Sequence, residues 1–163
     1  MRSPLSAVVA ALSLTACTAT SQGGTTLSEA ERAALGDSLK QFAARMVETI
    51  DRHDVEGFIG YHAKTPDVAW AMSGGIITVD SMRNSMLGYF PSAAGKNVHF
   101  TLGDARPYVM DRNAGVVTAI INSTNVDSTG ATRTGHQAWS IAVQRIAGEW
   151  KVVQVHESYP RRD

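Results

Sequence analysis

Apolar and polar residues alternate along this chain in two different rhythms, and the change from one to the other divides it. From Leu35 the apolar positions Leu39, Phe42, Met46 and Ile50 recur three or four residues apart. That spacing puts them on one helix face, with Arg32, Asp37, Lys40, Arg45 and Glu48 largely elsewhere. Ser28 followed by Glu31 is a capping-box pattern, so the spacing predicts a helix from about Ser28 to Arg52. Asp54 is placed to cap a second, shorter helix bearing Val55, Phe58, Ile59 and His62. Val68 to Ser73 alternates, with Val68, Trp70 and Met72 on one face of a short strand. Gly74-Gly75 then predicts a turn, and Ile76 to Val79 a returning strand. A third helix, capped at Asp80, carries Met82, Met86, Tyr89 and Phe90 at helical spacing.

After Pro91 the rhythm changes to strands. Asn97 to Met110, bent near Gly103 or Pro107, precedes a turn at 111–114. Gly115 to Val126, Arg133 to Ile146 and Glu149 to Tyr159 follow, the last two joined by a tight turn at Ala147-Gly148. Three helices followed by about four long antiparallel strands make an α+β domain with helices segregated on one side of a sheet.

The N-terminus is of another kind. Arg2 precedes an apolar run from Leu5 to Leu14. A membrane-spanning helix needs roughly 20 apolar residues, so the run is too short to span and suits a signal peptide. It ends in Leu14-Thr15-Ala16-Cys17, which resembles the lipobox of bacterial lipoproteins, and Cys17 is the chain's one cysteine. The resemblance implies cleavage before Cys17, acylation of its thiol, and an envelope location. Because Thr18 rather than Asp follows, it implies the outer membrane in a two-membrane host. The expected layout is a signal peptide at 1–16, a Gly/Ser/Thr-rich tether at 17–26, a domain at 27–159 and a tail at 160–163.

Removing the first 16 of 163 residues leaves 147, enough for one domain with a core. Side chains of 15 basic and 15 acidic residues balance, so no basic surface for nucleic acid is expected. One cysteine excludes an internal disulfide. No second long apolar run follows the signal, and no activated-nucleophile or phosphate-loop motif occurs.

The C-terminal hairpin carries a second resemblance. Arg145, Gly148, Trp150, His156 and Ser158 fall at the spacing of a tail found in the nuclear transport factor 2-like superfamily. The similarity is to its SnoaL-like (polyketide-cyclase-like) and kinase-association-domain-like branches. Pro66-Asp67-Val68 entering a strand, then Gly74-Gly75 and the helix at Asp80, keeps the same order. The resemblance implies a cone-shaped (cystatin-like) antiparallel sheet curled around the helices, an interior cavity and two-fold homodimers. The superfamily hosts isomerases, cyclases, dehydratases, binding modules and oligomerisation domains, so it fixes no reaction.

Without a bulge, the turn at Ala147-Gly148 sets the register of the last two strands. Arg145 then faces Trp150, Val143 faces Val152, Trp139 faces His156 and Gln137 faces Ser158. This puts Trp139, His156 and Ser158 on the concave side, where Trp70 and Met72, Met86 and Phe90, and Tyr61 join them as a pocket for a small, partly apolar molecule. His156 is the candidate general acid or base. The alternative is a structural histidine bonded to Ser158, Gln137 or backbone. His53 and His62 read as solvated residues near helix ends, and His136 faces away from His156, so neither metal nor cofactor is expected. The outer face carries Ala138, Ser140, Ala142, Val153, Val155 and Glu157, and its small, apolar members Ala138, Ser140, Ala142, Val153 and Val155 are the candidate homodimer surface. Two readings remain: a tethered small-molecule-binding or association module, or a small isomerase, cyclase or hydrolyase using His156.

Overall fold

The computed structural model describes residues 26–160. The expected signal peptide, Cys17 and nearly all of the expected tether therefore lie outside the described residues, as does most of the C-terminal tail.

Helix α1 (Glu29–Asp51) forms where the periodicity places it. Ser28 caps it: its hydroxyl accepts from the Glu31 N–H, and the Glu31 carboxylate accepts from the Ser28 N–H at 2.9 Å. The buried face includes Leu39, Phe42, Met46 and Ile50. Thr49 is also buried and satisfies its hydroxyl by donating to the Met46 carbonyl at 2.6 Å. At the far end Asp51 accepts from the Phe100 N–H at 2.9 Å, which ties the helix to the sheet.

Helix α2 (Val55–Gly60) is capped by Asp54, whose side chain accepts from the Gly57 N–H. Strands β1 (Ala69–Met72) and β2 (Gly75–Thr78) pair antiparallel. Their turn centres on Ser73 and Gly74, both with positive φ, one residue earlier than Gly74-Gly75. Helix α3 (Val79–Tyr89) is capped by Thr78, not Asp80. The Thr78 backbone is extended and its hydroxyl accepts from the Ser81 N–H at 3.1 Å, which leaves Asp80 in the first turn beside the positive helix end.

Four long strands complete the chain: β3 (Val98–Val109), β4 (Ala114–Val126), β5 (Thr132–Ile146) and β6 (Glu149–Ser158). They and the short pair form one six-stranded sheet in the order β2-β1-β6-β5-β4-β3. All pairings are antiparallel except β1 on β6. A register shift between Leu102 and Ala105 bends β3 at Gly103. The core lies between α1 and the concave face, where Val117, Ile121, Ile141, Val143 and Val152 are sealed from solvent.

A second register shift, between Ala142 and Val143, decides the site. From the turn to Val143↔Val152 the β5–β6 pairing is as expected. Val153 is then an extra residue on β6, and Ala142 pairs with Gln154. Such a bulge reverses which residues beyond it face the core. Trp139 therefore lies opposite Glu157, and His156 lies opposite Ser140. The physical reason is polarity. A straight strand would bury Gln154, His156 and Ser158 while exposing Val153 and Val155. The bulge buries Val155 and Glu157 and exposes the other three.

Candidate functional site

The concave face, closed by α3, holds a cavity of about 460 Å³. Its walls include Trp70 and Met72 on β1, Met82, Met86 and Tyr89 on α3 with Phe90 after it, Val98 and Phe100 on β3, and Trp139 and Glu157 on β5 and β6. Trp70 and Trp139 meet edge to face, with ring centroids 5.1 Å apart. The chain places these rings together because the parallel β1–β6 pairing sets Trp70 beside Val155, inside the cone. Phe90 is held from behind by His53, stacked at 4.4 Å and 10°, whose Nε2 lies 2.9 Å from the Val98 carbonyl oxygen. His53 is thus half-buried rather than solvated.

One end of the cavity is polar. Glu157 is only 5% exposed. The Gln137 amide donates to its Oε1 at 2.9 Å and accepts from Trp139 Nε1 at 3.1 Å. Tyr159 and Trp139 also hydrogen-bond to the carboxylate. Burial pushes the Glu157 carboxyl above its ordinary range, against the opposing pull of those two bonds. Burial likewise pushes the Tyr159 phenol up, reinforced by its bond to Glu157. Tyr89 and Tyr159 are the exposed members of the lining and stand where the cavity meets solvent.

Of the residues expected in the pocket, Trp70, Met72, Met86, Phe90 and Trp139 line this cavity. Tyr61 does not. It packs edge-on against Phe42 at 5.3 Å and lines a separate groove beside Trp150. His156 and Ser158 are exposed on the outer face, with His156 between Ala71 and Ser140. From there His156 cannot exchange a proton with a molecule in the cavity, so the acid/base arrangement expected around it is not formed. The expected outer face is corrected in the same way: Val155 and Glu157 point inward, and Gln154 and His156 take their places.

The surroundings of His62 also differ from expectation. It is 2% exposed. Its Nε2 accepts from Trp70 Nε1 at 2.9 Å, which assigns the proton to Nδ1, 3.2 Å from the Phe58 carbonyl oxygen. Burial pushes its pKa down to about 4, so the ring is neutral at physiological pH. Both nitrogens are spent on holding α2 against β1. A larger surface groove, of about 570 Å³, borders His62, yet it offers no free ring nitrogen there. Among the described residues no cluster of three or more His, Cys, Asp or Glu could hold a metal ion, and no helix is long and apolar enough to cross a membrane.

The tail residues of the C-terminal hairpin have structural duties. Ala147 and Gly148, both with positive φ, form the two-residue turn. The Arg145 guanidinium lies 4.6 Å over the Trp150 ring, and Trp150 Nε1 donates to Ser38 on α1 at 3.0 Å.

A curved antiparallel sheet wrapped on N-terminal helices, with a cavity at its concave face, is the nuclear transport factor 2-like (cystatin-like) fold. Residues 37–160 match the family description of the calcium/calmodulin dependent protein kinase II association domain. The chain belongs to that family. Solved structures agree on the fold. The association domain of the Caenorhabditis elegans kinase superposes with a TM-score of 0.67 at 18% identity, covering 78% of this chain and 97% of that one. The hub homology domain from Chlamydomonas reinhardtii gives 0.65 at 17%, covering 78% and 98%. A nuclear transport factor 2-like protein from Salmonella enterica gives 0.62 at 20%, covering 80% and 94%. No curated protein matches the chain.

Proposed function

We propose that this chain is an envelope-tethered binding module, carried on lipid through Cys17, whose concave cavity takes a small, partly apolar molecule. The observation that carries the reading is the cavity itself. About 460 Å³ of space has walls of aromatic and methionine side chains converging on one polar end, the usual composition of a small-molecule site. The test fills it. Met86→Trp should abolish the thermal shifts that a fragment library produces in the wild type. Equal responses from the two proteins would contradict the reading. For the anchor, Cys17→Ser should release the protein from membranes; unchanged membrane fractionation would contradict lipidation.

Self-association is a second reading, favoured by family membership and by the outer sheet face. Ala138, Ser140 and Ala142 present small side chains there, suited to packing flat on a second copy. Sedimentation at micromolar concentration should give at least the dimer mass, and a monomer mass would contradict it.

A further inference from the structure

The charge of the cavity narrows what it can hold. Among the lining residues Glu157 alone belongs to a charged type, and no lysine, arginine or histidine is present. Glu157 already accepts from Gln137, Tyr159 and Trp139, so every protein group bonded to its carboxylate is a donor. A ligand carboxylate or phosphate placed there would meet like charge with no cation to offset it. A ligand cation would meet a buried carboxylate whose own burial is unfavourable while it stays unpaired with positive charge.

The walls favour the same sign. Trp70, Trp139, Phe90, Phe100, Tyr89 and Tyr159 all line the space. Aromatic faces attract ammonium groups, most strongly when water is excluded. Met72, Met82 and Met86 supply polarizable, adaptable surface for an apolar body behind the charge. The Trp139 indole N–H donates to the Gln137 amide, which in turn donates to the Glu157 carboxylate, so the polar end lies beside an aromatic plane.

Resting on the small-molecule reading above, we infer that the ligand is an organic ammonium: an amine head paired with Glu157, on an apolar or aromatic body lodged among Trp70, Trp139, Met86 and Phe90. The cavity volume suits a body of one ring with a short chain, with room to spare.

Three probes of similar size and different charge test this by calorimetry at pH 7: 2-phenylethylamine, 2-phenylethanol and 3-phenylpropanoate. The protein is the full chain carrying Cys17→Ser. The wild-type domain should bind the amine at least about tenfold more tightly than the alcohol and should not bind the carboxylate. Glu157→Gln should bring the amine's affinity down to that of the alcohol in the same variant. If Glu157→Gln fails to bind the alcohol, the wild-type ranking of the three probes decides alone. Alcohol bound as tightly as amine, or carboxylate bound best, overturns the inference while leaving the cavity a binding site. No binding of any probe, with Met86→Trp indistinguishable from wild type, overturns both.

Discussion

Protonating His62 should destabilise this domain, and the size of the effect follows from its burial. The ring is neutral in the folded protein because burial lowers its pKa from 6.5 to about 4. In the unfolded chain the ring is solvated and titrates near its ordinary value. A depressed folded pKa contributes stability that is fully present above the unfolded value and is lost as pH falls through the folded one. The window is therefore pH 6.5 down to about 4. At 1.36 kcal/mol per pH unit, the full loss is about 3 kcal/mol, of which about 2 kcal/mol has gone by pH 5. The geometry sets the same sign. Protonation would place a hydrogen on Nε2, which now accepts from Trp70 Nε1 at 2.9 Å, so two donors would face each other in the core. The assay is urea unfolding of a chain beginning at Leu27, at half-unit steps from pH 7.5 to 4.5, beside His62→Gln. Glutamine offers an amide oxygen to Trp70 and does not titrate. Carboxylates elsewhere titrate in both proteins, so the difference between the two curves isolates His62. The wild type should lose about 2 kcal/mol more than the variant between pH 7 and pH 5. Parallel curves would refute the buried, neutral assignment.

Three further outcomes are expected. Gly115→Ala should destabilise by about 1–3 kcal/mol in the same unfolding assay, because an added Cβ would lie 2.9 Å from the Tyr108 carbonyl oxygen and 2.6 Å from a Leu39 methyl. Ser28→Ala should cost about 0.5–2 kcal/mol, read as a lower urea midpoint with unchanged m, since it removes half of the capping box of α1. Glu157→Gln should raise stability relative to wild type increasingly as pH climbs from 4.5 through the carboxyl's elevated pKa, because the wild type must then bury an ionised group; a difference that shrinks over that range would contradict the assignment.

How much of this was legible beforehand depended on whether neighbours along the chain or across the sheet decided the outcome. Helix α1 was readable because its cap, its periodicity and its terminus are local signals, and each is satisfied where the residues put it. The turn at Ala147-Gly148 was readable for the same reason, and it sets the first pairs of the hairpin correctly. The side of the sheet reached by His156 was not a local matter. A single extra residue at Val153 moved Glu157 into the cavity and His156 out of it. A signal was present: unbroken alternation from Trp150 turns Gln154, His156 and Ser158 inward and two valines outward, an inversion that a bulge corrects. His62 reads as solvated in the sequence because its partner, Trp70, sits on another element. Its position four residues after Phe58 on α2 placed it toward the core, but nothing along the chain announced the indole that satisfies it.

The central claim is that the carboxyl of Glu157, not the imidazole of His156, shares the cavity with Trp139. The Trp139 indole N–H reports on this directly, because it lies against the Gln137–Glu157 pair. Its proton resonance should be followed by NMR from pH 4 to 8 in the wild type, Glu157→Gln and His156→Ala. The account predicts one transition with a midpoint above 4.5, abolished by Glu157→Gln and untouched by His156→Ala. A transition abolished by His156→Ala and retained in Glu157→Gln would contradict it.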